Sequence, residues 1–395
     1  MQNFVFHNPT KIIFGHDTIP TIGPETTVYG NRVLLVSGTG SAEKNGVLRQ
    51  VRESLAAATA TVIEHPGVRS NPVLSHVRSG IELAKKHDCQ VVCAVGGGSV
   101  IDEAKAICAG AVVAHDVWKF FTGKKSITSP LPLTTVLTLA ASGSEMNSGM
   151  VITNEETRQK FGFGNKKLHP RVSILDPSTT CTVPLDYTAY GAVDAIAHVL
   201  EFYFTTLDPH TPVQDRLMEG LVLNSMESCN RVMARPDDYQ ARADLMWTAT
   251  LALNGLTGAG LGKVGFPMHM IEHSLSAFYD VAHGAGLSVV IPAWLRSQSS
   301  LQPERLAQFA RRVFDCRGED TTLLATEGIA RLEQWFAAVN SPTRLQQLNI
   351  PARDIPEIAT NALALGKVWR IDGYDQERIE AILRLADGNS STPEC

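Results

Sequence analysis

Long hydrophobic runs are missing from this chain of 395 residues. None approaches the ~18–20 apolar residues that span a bilayer, so no membrane helix is expected. An excess of basic charge is missing too. The formal net charge is −5, which argues against a nucleic-acid partner, because phosphate neutralisation needs a basic face. Cysteine is scarce: Cys89, Cys93, Cys108, Cys181, Cys229, Cys316 and Cys395 make an odd number, with no C-x-x-C pair. That pattern excludes a disulfide scaffold. Apolar neighbours such as Val92-Cys93-Ala94 and Ile107-Cys108-Ala109 read as reduced, buried thiols of a cytoplasmic protein. Residues 1–9 lack a basic segment followed by an apolar core, so no signal peptide is expected. The polar tail, residues 387–395, is expected to fray.

What remains is an ordinary globular composition, 44% hydrophobic and 19% charged. The length exceeds what one hydrophobic core usually serves, so two domains are expected. Strand and helix signals alternate through the first half. Residues 4–6 and 11–14 flank Asn8-Pro9-Thr10 and predict a hairpin. Residues 32–37, 58–63, 90–95, 133–139 and 172–175 read as strands, and residues 75–86 and 99–113 as helices. Alternation of this kind predicts a mostly parallel sheet covered by helices. After Tyr187 the strand signal fades, and residues 190–204, 212–234, 238–253 and 321–338 carry helical periodicity. Pro177 and Pro184 punctuate the change, giving an α/β domain over residues 1–182 and an all-helical domain over residues 183–395.

Two motifs carry chemistry. Gly96-Gly97-Gly98-Ser99 follows a strand and opens a helix, a context in which backbone N–H groups and the helix dipole face a phosphate. A tight turn with no ligand is the plainer reading. The G-x-G-x-x-G fingerprint is absent; Gly38-Thr39-Gly40-Ser41 resembles half of it but continues into Glu43. Thr138 and the segment from Ser142 to Glu145 put hydroxyls after a strand, where cofactors bind in open α/β sheets, or else cap a helix. In the second half, Asp194 and His198 stand four residues apart, as do His269 and His273, so each pair shares a helix face. Such donors can hold a divalent metal, or simply hydrogen-bond to one another. His283 lies fourteen residues beyond His269, ~21 Å along a straight helix at 1.5 Å per residue, so it joins them only if the chain turns near residues 279–282. His269-x-x-Glu272-His273 also matches an inverted zinc-peptidase motif, in which Glu272 would be the general base.

Over nearly its whole length the chain resembles the iron-containing alcohol dehydrogenases, specifically their aldehyde reductase and butanol dehydrogenase branch. The resemblance rests on Gly96 through Asp102, Thr138 through Glu145, Leu175-Asp176-Pro177, Gly191-x-x-Asp194-x-x-x-His198-x-x-Glu201, His269-x-x-x-His273 and His283-Gly284. It implies a Rossmann-like α/β domain, as in dehydroquinate synthase, followed by an all-α domain. It implies Asp194, His198, His269 and His283 as ligands of Fe2+ or Zn2+, and His273 as a catalytic residue beside the nicotinamide. Relatives often have Asp or Pro before the last ligand; here it is Ala282. The implied cofactor residues are Gly38, Thr39, Gly40, Ser41, Asn71, Gly96, Gly97, Gly98, Ser99, Asp102, Thr138, Ser142, Ser144, Asn147 and Lys160.

The implied reaction interconverts small aldehydes and primary alcohols by hydride transfer. NADP(H) is expected, because no carboxylate follows the early strand until Glu43 to repel a 2′-phosphate. A homodimer or larger homo-oligomer is expected. The alternatives are a lyase resembling 3-dehydroquinate synthase, which would need a basic pocket, and the peptidase read from Glu272.

Overall fold

The computed structural model describes residues 1–208 and 210–388. Cys395 and most of the tail expected to fray lie outside the described residues. The chain packs as two units, one formed by Phe6–Pro184 with Arg235–Leu256, the other by Met1–Val5, Leu185–Ala234 and the chain from Thr257 onward.

The first unit holds a six-stranded parallel sheet of β1 (Lys11–Phe14), β2 (Arg32–Gly38), β3 (Thr61–Val68), β4 (Val91–Gly96), β5 (Leu133–Leu137) and β8 (Val172–Leu175). The spatial order is β1-β8-β5-β4-β2-β3. Its helices are α1 (Ile22–Thr27), α2 (Ser41–Lys44), α3 (Val47–Ala57), α4 (Leu74–Lys86), α5 (Gly98–Gly110), α6 (Trp118–Phe121) and, much later in the chain, α9 (Tyr239–Ala252). Residues 33–37 of β2 are all buried, so the strand reads as a continuous apolar run, as strands covered on both faces do. On one face Val33 and Leu35 join Cys93 and Val95 of β4 against Val51 and Leu55 of α3.

The strand order places a ligand site. From β2 the chain crosses to β3 on one side; from β4, hydrogen-bonded to the other side of β2, it departs towards β5. Ligands of open α/β sheets bind at the carboxyl ends of the strands where the order reverses in this way. Those ends are Gly38 on β2 and Gly96 on β4, and Ser37 and Val95 just before them are register partners.

The expected N-terminal hairpin does not form. Residues 4–6 are not a strand, and β1 pairs in parallel with β8. Asn8 explains the difference: its side-chain N–H groups donate to the Met146 and Asn254 carbonyls at 2.8 and 2.9 Å, and its Oδ1 accepts from Thr10 N–H. The chain is pinned there instead of turning back. The third strand starts at Thr61 rather than Ala58, because Ala58 caps α3 and Thr59 takes a left-handed turn. One hairpin went unread in the sequence, β6 (Gly149–Asn154) with β7 (Gln159–Gly164), turning through Arg158 at φ 52°.

The second unit is helical: α7 (Leu185–Thr205), α8 (Pro212–Ala234), α10 (Pro267–Tyr279), α11 (His283–Gln298), α12 (Pro303–Phe314), α13 (Thr321–Ala338), α14 (Ile355–Trp369) and α15 (Gln376–Asp387). From Gly191 to Phe204 every residue of α7 is buried, which marks it as a central helix. No helix among the described residues is long and apolar enough to cross a membrane.

Candidate metal centre and nucleotide-binding edge

Helix α7 brings Asp194, His198 and Glu201 to one side, and α10 faces it with His269 and His273. Helix α10 ends at Asp280 in the left-handed conformation, and α11 starts at His283. Gly284 lets α11 come close: a Cβ there would lie 2.1 Å from the Tyr190 carbonyl oxygen of α7. The turn that the sequence required for His283 to join the other donors is therefore present.

Donor atoms of Asp194, His198 and His269 lie within 4.8 Å of one another, and His283 also approaches Asp194. From Asp194 Oδ1, His198 Nδ1 is 3.6 Å away, His269 Nε2 3.7 Å and His283 Nε2 3.6 Å. Donors held about 2.0–2.2 Å from a tetrahedral ion stand roughly 3.4 Å from one another, so this spacing suits a metal better than hydrogen bonds. Asp194 Oδ1, His198 Nδ1 and His269 Nε2 are buried without a hydrogen-bond partner, a costly arrangement unless something binds them. Three nitrogens and one oxygen suit Fe2+ and Zn2+ alike. The residues fit the group.

Electrostatics agree with that. Burial pushes the Asp194 carboxyl up, but the surrounding imidazoles outweigh it and hold the group well below the carboxylate range. Burial draws His198 down to about 3, leaving a neutral ring with a free lone pair. His269 is pulled up to about 9, against burial, by Asp194 and Glu201. Glu201 Oε1 accepts from both the backbone N–H and the Nδ1 of His269, at 2.8 and 2.9 Å, and so turns Nε2 towards Asp194. His273 is buried beside this group, its ring 5.5 Å from that of His283 and 5.2 Å edge-on to Trp369 of α14. Glu272 is fully buried and faces His283 Nδ1 and the Ser276 hydroxyl. Its engagement there disfavours the peptidase reading.

The glycine turns occupy the sheet edge picked out by the strand order. Gly96 ends β4, Gly97 caps α5 and Gly98 opens it. A side chain would crowd each: a Cβ would lie 2.4 Å from Val100 at Gly96, 3.0 Å from Leu139 at Gly97 and 2.1 Å from Ser142 Oγ at Gly98. The turn is thus tight for packing. Ser142 Oγ, against Gly98, is buried without a partner. Ser99, in the first turn of α5, is half-buried.

The other predicted cofactor residues divide. Gly38 ends β2, Thr39 and Gly40 (φ 128°) follow it, and Ser41 starts α2. Thr138 N–H donates to Gly96 O. Asp102 accepts from Ser144 Oγ at 2.5 Å and Val151 N–H at 2.9 Å. Ser144 and Asn147 accept from the buried Lys105 ammonium. Lys160, on the unread hairpin, donates to Asn71 Oδ1 at 2.9 Å.

A second histidine cluster was missed in the sequence. His65 of β3, His76 of α4 and Glu103 of α5 meet inside the α/β unit. Glu103 Oε1 is 2.5 Å from His76 Nδ1 and 3.2 Å from His65 Nε2, and the two rings stack with centroids 4.2 Å apart. His76 Nε2 donates to the Pro66 carbonyl.

A parallel nucleotide-type sheet and an aspartate–histidine metal cage define a metal-dependent, nucleotide-linked class of enzyme. The family model described as iron-containing alcohol dehydrogenase matches residues 9–177, and that described as the Fe-containing alcohol dehydrogenase family, C-terminal, matches residues 188–386. The chain belongs to the iron-containing alcohol dehydrogenase family. It is 42% identical to a probable NADH-dependent butanol dehydrogenase 1 of Bacillus subtilis, over 98% of this chain and all of that protein. It is 35% identical to the NADPH-dependent aldehyde reductase YqhD of Escherichia coli, over 91% of this chain and 92% of that protein. The crystal structure of an NADH-dependent butanol dehydrogenase A from Thermotoga maritima superposes with a TM-score of 0.94 at 45% identity, covering 98% of this chain and 99% of that one. The protein is accordingly an oxidoreductase of the alcohol dehydrogenase and aldehyde reductase type, a family that implies a divalent metal and a pyridine nucleotide.

Proposed function

We propose that this protein reduces small aldehydes to primary alcohols, and catalyses the reverse, with Asp194, His198, His269 and His283 holding Fe2+ or Zn2+. The observation that carries this reading is that Asp194 Oδ1, His198 Nδ1 and His269 Nε2 are buried without hydrogen-bond partners at 3.6–3.7 Å spacing, with His283 Nε2 also 3.6 Å from Asp194 Oδ1. When bound, the metal supplies Lewis acidity towards the substrate oxygen and the nicotinamide supplies or takes the hydride. The chain does the rest. Glu201 fixes the His269 ring, Gly96 to Gly98 admit the pyrophosphate to the start of α5, and His273 is the residue placed to hold or move the alcohol proton.

NADP(H) is the cofactor we propose. The first carboxylate after β2, Glu43, is held by Arg52 at 2.7 Å, and Thr39 and Ser41 offer hydroxyls to a 2′-phosphate. Two of the relatives above are named NADH-dependent, so the choice rests on measurement. A Cβ at Gly38 meets only ordinary contacts, 3.5 Å to Val68 O and 3.7 Å to Val100 Cγ2, so Gly38→Asp tests charge without a clash. It should shift the preference towards NAD(H). Wild-type kcat/KM for NADH equal to or above that for NADPH would overturn this choice.

The reaction is tested by following NADPH oxidation with butyraldehyde before and after chelation; no metal-dependent turnover with any short aldehyde would sink it. We further propose that the enzyme is cytoplasmic, in keeping with its buried free thiols, and that it forms at least a dimer. Phe4, Val5 and Phe6 leave an exposed apolar stretch suited to a second copy, and a monomeric mass by light scattering would refute the dimer.

A further inference from the structure

Of the four metal-cage side chains, His283 is the least enclosed. Its side chain is 25% exposed, against 5–6% for Asp194, His198 and His269. It also comes from a separate helix start, where Ala282 offers no side-chain cap. An ion leaving or entering this site meets His283 first, so whatever fixes the His283 ring controls retention.

The structure supplies a dedicated fixture. Glu272 projects from α10 and accepts from His283 Nδ1 through one carboxylate oxygen, while its other oxygen accepts from the Ser276 hydroxyl one turn further along. Opposite, on the first turn of α11, Gly286 makes room: a Cβ there would lie 2.7 Å from Glu272 Oε1 and 2.8 Å from its Cγ. A carboxylate fully removed from water needs such partners, and a negative charge behind an imidazole fixes its tautomer and makes its other nitrogen a better ligand.

We propose that Glu272 is a positioning residue that holds His283 with Nε2 towards Asp194, and that this contact, housed by Gly286, sets how long the enzyme keeps its metal. The glutamate that the sequence offered as a peptidase base serves instead to keep the metal in place. The inference rests on the metal cage proposed above.

The experiment uses the purified holoenzyme loaded with Co2+ or Zn2+, and follows metal transfer to a coloured chelator together with the visible absorption of the Co2+ form. Glu272→Gln preserves shape and removes charge; it should release metal roughly 10–100-fold faster and alter the Co2+ spectrum. The chelated form should keep its urea midpoint. Gly286→Ala should reproduce the faster release without touching His283, by displacing Glu272. In a Glu272→Ala background, where the space is free, Gly286→Ala should add nothing, a non-additivity that a merely structural glycine would not give. Wild-type release rates and spectra in both Glu272 variants would overturn the proposal. A wild-type enzyme that takes up no metal would instead overturn the cage itself, so the two failures are distinguishable.

Discussion

The clusters of imidazole and carboxylate around Glu103 and around Asp194 lie one in each unit, and they are built to opposite rules. Around Glu103 the groups close on one another at hydrogen-bond distance, 2.5 and 3.2 Å. Around Asp194 the donors stand off at 3.6–3.7 Å and three of their atoms have no partner. Residue type does not separate the two; the spacing of the facing atoms does. The closed cluster spends its facing atoms on one another, although Glu103 Oε2 has no partner, whereas the open one leaves its facing atoms for an ion.

The largest effects should come from damaging the open cluster. Asp194→Asn or His269→Ala should lower bound metal below a tenth of an equivalent and turnover by roughly a thousand-fold or more, since the first removes the negative charge of the cage and the second one of its nitrogen donors. Metal analysis beside steady-state rates decides this, and full occupancy in either variant breaks the comparison. Next comes the phosphate edge. Gly98→Ala drives a methyl towards Ser142 Oγ and should raise the KM for the nucleotide about tenfold or more while metal content stays unchanged.

Breaking the closed cluster should act on stability alone. Glu103→Ala removes the shared acceptor of two imidazoles and should cost about 1–3 kcal/mol in urea unfolding, with no loss of metal. Titration with Co2+ offers a sharper test: one equivalent per chain supports the distinction, and a second equivalent lost in Glu103→Ala would abolish it. A pH-dependent effect concerns Lys105, a buried cation whose ammonium donates to Ser144, Asn147 and Gly149 O. Burial draws it down to about 8 from the ordinary 10.5. Between those values the unfolded chain binds more protons, so stability should rise with pH across that window. Lys105→Met should flatten the rise, as read from urea midpoints, and an unchanged slope would mean that another group causes it.

Much of this was legible before the structure. The glycine turn after an apolar run and the i, i+4 pairs are local patterns, and they place β4, α5, α7 and α10 correctly. His283 could be joined to the others only conditionally, because the sequence does not show that Asp280 takes a left-handed turn or that Gly284 touches α7. Glu103 was unreadable for a plainer reason: its partners lie 27 and 38 residues away on other elements. The hairpin expected at residues 4–6 fails because the Asn8 side chain is committed to carbonyls 138 and 246 residues away, which a local turn pattern does not show. Hairpin β6–β7 was overlooked because Gly162 and Gly164 dilute its alternation.

Helix α9 carries a lesson about assembly. It lies between helices of the second unit in the chain, yet its Thr250 donates to Glu145 at 2.6 Å and its Trp247 packs edge-on to Phe14. The α/β unit is therefore unfinished when the ribosome has made residue 184, and it waits for residue 256. A fragment cut near residue 182 would expose the seat of α9 and strand the Glu145 carboxylate, so it should be recovered aggregated rather than as a free nucleotide-binding module. Chimaeras with relatives need to exchange the segment Arg235–Leu256 together with Phe6–Pro184; a single crossover would separate the helix from the sheet to which it belongs.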